Sequence, residues 1–378
     1  MAAFTEEQAL IREQASAWAL KESPVSQFRA LRDAGDNAGF EQATWGAMIE
    51  MGWTGILVPE EYGGSDLGML TFGLVLEQLG RQLTASPLLP SALAGASAML
   101  LGGSAEQQGA MLPKIIDGTA ILTLAVDEGT HHRPENTALE ARASKGGFTL
   151  AGSKASVAEG SAATHFVVAA RTAGTPGEND GISLFLLPAD SDGVSRTPLN
   201  VLDSRDYANI RLDDVHVDAD ALLGRLDGGL PLLQQVLDRA RAGIAAEMLG
   251  TASQAFDMTL DYLKTREQFG SVIGSFQGLG HRAAGLFSAM EQTRSCVEAA
   301  LQAIDTDADN SAELASLAKC RAGQFLYDMT NELIQMHGGI GMTDEFDAGL
   351  YLKRARALEA SYGNRSYHRD RYARLLGF

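Results

Sequence analysis

The texture of this chain changes twice along its length. Residues 1 to 120 read as helix, 121 to 228 as short strands separated by turns, and 229 to 378 as helix again. Few architectures fit that order. Strands with no long helices between them have to bury their apolar faces within their own layer, while flanking helices form layers of their own. In the first block Thr5-Glu-Glu-Gln8 makes a capping box, followed by Ala9, Leu10, Ile11 and Ala15 at helical spacing. Trp45 to Met51 and Leu70 to Leu83 have the same periodicity, and Val58-Pro-Glu-Glu-Tyr-Gly-Gly64 breaks it.

In the second block Phe148-Thr-Leu150, His165-Phe-Val-Val168, Ile182 to Leu187 and Asn209 to Val217 are strand-like runs. Gly146-Gly147, Gly174 to Gly181 and Asp190 to Gly193 supply the turns, as in a small antiparallel barrel or sandwich. The third block carries long amphipathic stretches at Leu232 to Lys264, Gly280 to Ile304, Ala312 to Met336 and Asp344 to Tyr372. The expected fold is therefore α+β and multidomain: an N-terminal α-helical domain (1–120), a central antiparallel β-barrel domain (121–228) and a C-terminal four-helix bundle (229–378).

A chain of 378 residues with 45% hydrophobic content has enough apolar surface for several packed domains and is not a disordered acidic tail. Its 30 Lys+Arg against 48 Asp+Glu give a formal charge of −18, which argues against wrapping nucleic acid but leaves room for an anionic cofactor held by a few local arginines. Cys296 and Cys320 lack metal-ligand spacing and read as small apolar residues of a reduced compartment, the alternative being a bridge between them. The N-terminus shows no signal-peptide pattern, and runs such as Ala120 to Val126 are far short of the ~20 residues a membrane span needs. The expectation is a cytoplasmic chain without metal, nucleic acid or membrane.

Three passages add chemistry. Tyr262-Leu-Lys-Thr-Arg-Glu-Gln-Phe-Gly270 runs on to Ile273-Gly-Ser-Phe-Gln277; Gln335-Met-His-Gly-Gly-Ile-Gly-Met-Thr343 comes later, and Val58 to Gly64 comes earlier. Arg266 is a permanent cation whose planar fork suits a pyrophosphate. Phe269 offers a flat apolar face, Gly270 reads as a helix end, and Gln277 can hydrogen-bond a ribose or phosphate. Gly338 and Gly339 permit close backbone approach to a ligand. Structural alternatives exist: Arg266 paired with Glu267 or another carboxylate, and the Gly pair as a helix C-cap.

Taken together and in this order, the passages closely resemble the acyl-CoA dehydrogenase family over essentially the whole chain. The resemblance implies FAD shared across a subunit boundary. Arg266, Phe269, Gln277, Gln335, Gly338 and Gly339 would hold its ADP half and reach the flavin of a neighbouring subunit. It also implies that Asp238 and Arg241 line an acyl-CoA channel, the alternative being a helix-terminal Asp with an i,i+3 ion pair.

The pattern also breaks. The family's reaction needs a carboxylate beside the substrate α-carbon. Aligned from Leu352-Lys-Arg354, the usual glutamate position falls on Gly363, and the position used by a minority of members falls on Ala240. Glu247, seven residues after Ala240, returns to within roughly 20° of the same helical face, about 10 Å along the axis. It is a candidate displaced base, or a structural glutamate paired with an arginine. Glu345 and Glu359 are other late carboxylates without a recommending spacing. The Thr-Glu-Pro-Gly-Ala-Gly-Ser-Asp loop and Lys-x-Trp-Ile-Thr strand that cradle the family's isoalloxazine correspond here to Ala125 to His132 and Lys154 to Gly160. Ser156 stands in place of the tryptophan and Ala158 in place of the threonine. The adjacent His131 and His132 read as solvent-facing.

These features point to one subunit of a heteromeric, α2β2 flavin-dependent acyl-CoA dehydrogenase, similar to the small subunits associated with dicarboxylic acyl-CoA and steroid side-chain degradation. Its partners would be a second dehydrogenase-like chain, an acyl-CoA substrate and electron-transfer flavoprotein. A homotetramer using Glu247, and a non-catalytic scaffold of the same fold, are the alternatives.

Overall fold

The computed structural model describes residues 4–35 and 39–378. Thr5 caps α1 (Glu6–Glu22) as its sequence predicts: its side chain accepts from the Gln8 N–H, and the Gln8 side chain accepts from the Thr5 N–H. α2 (Val25–Ala34) and α3 (Gln42–Glu50) follow. The break at 58–64 contains a short 3-10 turn, Glu60–Tyr62, closed by Gly63 at φ 91°. Next come α4 (Gly68–Arg81), a wholly buried π-helical stretch Leu88–Gly95 that runs into α5 (Ala96–Gly102), and α6 (Ala105–Ile116). Among the described residues no helix is long and apolar enough to cross a membrane.

Two compact units divide the chain: Leu31–Gly68 with Ala85–Ala240, and Met1–Ala30 with Met69–Thr84 and Arg241–Phe378. The first contains the sheet: β1 (Leu122–Ala125), β2 (Glu140–Ser144), β3 (Gly147–Ala158), β4 (His165–Arg171), β5 (Ile182–Pro188), β6 (Val194–Pro198), β7 (Tyr207–Asp218) and β8 (Leu222–Leu223). Strand order is β6-β7-β3-β2-β4-β5-β8, with β1 on β4.

The central layer departs from the expected antiparallel barrel in two details. β1 and β2 both pair with β4 in parallel, and the path ends at β6 and β8 without closing. Its ends are short strands of five and two residues, which limits the exposed edge a closed barrel would otherwise remove. Along β7, Ala208, Ile210 and Leu212 point into a core with Leu150, Phe166 and Phe185, and Asn209 and Arg211 point out.

In the second unit α7 (Gly229–Thr265, from Arg241 onward), α8 (Gln277–Asp305), α9 (Ser311–His337) and α10 (Ala348–Ala360) form the helical bundle, and α11 (Arg365–Leu375) packs on α9. α4 crosses α7 where two glycines let backbones touch. A Cβ on Gly80 would strike the Glu247 carbonyl, and one on Gly250 would strike the Glu77 carbonyl. Thr251 Oγ1 donates to Gly80 O at 3.1 Å across the same crossing.

Candidate functional site

α7 stops at Thr265, one residue before Arg266, because the next residues turn into a hairpin of β9 (Glu267–Gln268) and β10 (Ser271–Val272). Phe269 and Gly270 form its two-residue tip at φ 54° and 76°, the left-handed pair that such a loop requires. Gly270 is thus a hairpin residue and not the helix end expected from sequence. Phe269 is 93% exposed, and Arg266 and Gln277 are exposed as well, Gln277 being the first residue of α8. Among the described residues the Arg266 guanidinium pairs with no carboxylate, Glu267 included.

Gly338 caps α9 at φ 59° and ψ −133°, a conformation that favours glycine, and its N–H returns to the carbonyls of Ile334 and Gln335. The C-cap reading of this glycine therefore holds structurally. A Cβ on either Gly338 or Gly339 would meet nothing within 4 Å, so no neighbour within the fold demands two glycines there. Gln335 is exposed on the last turn before them.

The corner after α10 is built quite differently. Tyr362 and Gly363 have φ 54° and 102°, and Asn364 then caps α11 by accepting from the Tyr367 N–H at 2.9 Å. Three basic side chains, each 1% exposed or less, converge on the corner's carbonyls. Lys319 Nζ donates to Leu358 O, Glu359 O and Gly363 O at 3.1, 3.2 and 3.0 Å. Arg241 Nε donates to Tyr362 O at 3.3 Å and its Nη2 to Tyr367 Oη at 3.1 Å, with the guanidinium 5.4 Å from the Tyr367 ring centre. His368 Nε2 lies 3.1 Å from Tyr362 O. A Cβ on Gly363 would run into the Tyr367 ring and sit 3.0 Å from His368 Nε2. Glu359 faces elsewhere: its Oε1 accepts from the Arg365 N–H and Nε at 2.9 and 3.0 Å. Glu345 is exposed.

Burial pushes Lys319 down to about 8, with the Glu359 carboxylate opposing and Arg241 reinforcing the shift. Burial, then Lys319 and Arg241, push the His368 imidazole far below its ordinary range, so it is neutral in the fold. Both shifts mean that the unfolded chain binds the proton more tightly. Stability is therefore expected to rise with pH through two windows, from acid up to the ordinary imidazole value of His368, and between about 8 and 10.5 for Lys319. The second window is worth about 3 kcal/mol at most. Urea midpoints at pH 7.5 and 10 measure it: wild type should gain more than Lys319→Met, and equal gains would contradict it.

Glu247 is 8% exposed on α7, and its Oε1 accepts both Arg354 Nη2 at 2.6 Å and Arg354 Nε at 3.0 Å. Arg354 is itself buried on α10. In the sheet-bearing unit Ala240 is fully buried and Asp238 is 7% exposed.

In that same unit the two stretches corresponding to the flavin cradle lie side by side. Lys154 Nζ, fully buried, donates to Glu128 Oε1 at 2.6 Å and to Val126 O at 2.9 Å. Burial lowers its pKa, offset by the Glu128 carboxylate. Glu128 also accepts the N–H groups of Ala138 and Leu139, both at 2.9 Å, which staples the 128–139 loop to itself. Opposite β7, β3 carries one extra residue between Lys154 and Val157, and Ser156 sits in that bulge at φ 51°. His131 is exposed, but the His132 side chain is only 3% exposed and its Nδ1 lies 2.8 Å from Asp127 Oδ2, so the expectation of a solvent-facing pair fails for His132. A cavity of about 440 Å³ beside the loop is lined by residues including Glu128, Thr130, Arg133 and Asn136, with no Trp, Tyr or Phe in its wall.

Sequence reading does not find Lys319, His368 or Arg354. Each lies in an ordinary helical stretch, and only the fold brings it to its partner.

The chain matches three family models in succession: "Acyl-CoA dehydrogenase, N-terminal domain" over residues 5–119, "Acyl-CoA dehydrogenase, middle domain" over 126–215, and "Acyl-CoA dehydrogenase, C-terminal domain" over 227–377. It is 30% identical to the probable acyl-CoA dehydrogenase YngJ of Bacillus subtilis, over 99% of this chain and 98% of that one. The ChsE4-ChsE5 complex from Mycobacterium tuberculosis is similar in structure, at TM-score 0.89 and 26% identity, covering 100% of this chain and 99% of that one. So is the Tcur3481-Tcur3483 steroid ACAD, at TM-score 0.87 and 28% identity, covering 98% of each.

Proposed function

The chain belongs to the acyl-CoA dehydrogenase family of FAD-dependent oxidoreductases, and from that premise we propose that it is the subunit that grips the ADP half of a shared FAD while a partner chain supplies the catalytic base. The corner at Gly363 carries this reading. Where the family's glutamate aligns, the backbone turns through a left-handed glycine with no room for a side chain, and the surrounding groups are two cations and a neutral imidazole bound to carbonyls. No carboxylate stands at that position, and burial beside Lys319 and Arg241 leaves the neutral His368 imidazole too weak a base to replace one.

The chain's residues fit one half of the cofactor. Arg266 is exposed without a carboxylate partner among the described residues, Phe269 is held out at the hairpin tip, and the Gly338–Gly339 turn is open to close backbone approach. FAD held there would supply the acceptor for the hydride leaving the substrate β-carbon. Arg266 would pair with the pyrophosphate, Phe269 would cover an apolar face, and Gln277 and Gln335 would donate to oxygen atoms. The flavin end finds less: Ser156 in a bulge offers no aromatic plane, and Glu128 is consumed by Lys154 and two backbone N–H groups.

The engagement of Glu247 by Arg354 supports a structural glutamate rather than a displaced base. Similarity at 26% and 28% identity to the ChsE4-ChsE5 complex and to the Tcur3481-Tcur3483 steroid ACAD favours an α2β2 assembly acting on a bulky acyl-CoA, with electrons passed on to electron-transfer flavoprotein.

Arg266→Ala is expected to lower the FAD retained by the assembled enzyme about tenfold or more, because a charged pair to phosphate is removed. Flavin absorbance per complex after gel filtration reads it, and unchanged flavin content would remove Arg266 from the site.

A further inference from the structure

The two segments assigned to the ADP end are far apart in sequence, and one side chain lies between them. His337 immediately precedes Gly338, and Tyr262 lies one helical turn before Arg266, whose N–H donates to Tyr262 O at 2.9 Å. The His337 ring stacks on Tyr262 with centroids 4.3 Å apart and planes 28° from parallel. Phe346, from the segment leading into α10, lies 4.6 Å from the same imidazole at 32°. His337 is 3% exposed. Its Nδ1 is 2.7 Å from Leu333 O, an acceptor, so Nδ1 carries the hydrogen and Nε2 is the bare nitrogen; Nε2 is buried with no partner among the described residues.

We infer that His337 is a positioning residue of the nucleotide site, fixing the separation of the Arg266 segment and the Gly338–Gly339 turn through the Tyr262–His337–Phe346 stack. The physical need is plain. A pyrophosphate bridging an exposed arginine and an exposed glycine turn gains from both only when their spacing is set beforehand. Neither Arg266 nor the glycines can set it, since both reach into open space. The stack can, because its middle ring is anchored to the last turn of α9 by the Leu333 hydrogen bond and held between two aromatic faces. Burial also lowers the imidazole pKa, so the ring stays uncharged in its apolar slot.

This inference rests on the ADP-binding reading above, and the test separates the two. Flavin is stripped from the assembled enzyme and FAD affinity is measured by fluorescence titration at a temperature where circular dichroism shows every variant folded. His337→Ala and Tyr262→Leu are expected to weaken FAD about tenfold, and His337→Phe, which keeps the stacked ring, to stay within about threefold of wild type. Rescue by phenylalanine is the signature of spacing set by the stack. If Arg266→Ala weakens FAD but His337→Ala and Tyr262→Leu do not, the positioning role falls and the ADP reading stands. If His337→Phe is as weak as His337→Ala, the stack is not what matters and the inference falls. If Arg266→Ala itself binds FAD normally, the ADP reading falls and takes the inference with it.

Discussion

Gly363→Glu is expected to lose about 3–5 kcal/mol of folding stability and to gain no dehydrogenase activity. Two costs add. At φ 102° the backbone occupies a region that side-chain-bearing residues rarely adopt, and the new Cβ would meet the Tyr367 ring and His368 Nε2. The carboxylate would arrive among Arg241 and Lys319, which are already committed to the carbonyls of Tyr362, Leu358, Glu359 and Gly363. It would be drawn into ion pairs there instead of being left to collect a proton from substrate carbon. Urea midpoints report the first effect, and exchange of the substrate α-proton with solvent deuterium reports the second. A stable variant that exchanges the proton would show that the corner is a site missing only its acid.

The Arg354→Ala variant should be destabilised by a similar amount, about 3–5 kcal/mol, since it leaves the Glu247 carboxylate buried without its guanidinium. The double variant Arg354→Met/Glu247→Leu should recover most of that loss, because two apolar side chains in place of a buried ion pair are commonly tolerated. Within the assembled enzyme Glu247→Gln should keep turnover within about threefold of wild type, a change too small for removal of a catalytic base. Turnover lost by a factor of about a hundred or more, with the protein still folded, would instead make Glu247 the base and the chain a self-sufficient homotetramer.

The helix–sheet–helix order was legible because periodicity changes at both junctions, and the capping box at Thr5 and the strand alternation around Ile210 appear as the pattern implies. The open sheet was not, since parallel pairing of β1 and β2 with β4 depends on a crossover that strand composition does not encode. On the proposed nucleotide side the motifs name Arg266, Phe269 and Gly338 directly, but the hairpin tip at Phe269 and Gly270 reads as a helix end in sequence because one glycine serves either purpose. Alignment alone revealed the absence of a glutamate at Gly363. It did not reveal what replaces it: Lys319 and His368 carry no motif, and they meet the corner only because α9 and α11 pack against each other. A missing residue is visible in sequence, whereas the groups that fill its place are visible only in the fold.

Division of labour between two unlike chains is tested most directly by flavin content with and without a partner. The chain is purified alone, and again after co-expression with candidate glutamate-containing dehydrogenase homologues. A colourless, inactive protein is expected in the first case, and in the second a yellow complex containing both chains that desaturates an acyl-CoA. A yellow and active protein composed of this chain alone would contradict it.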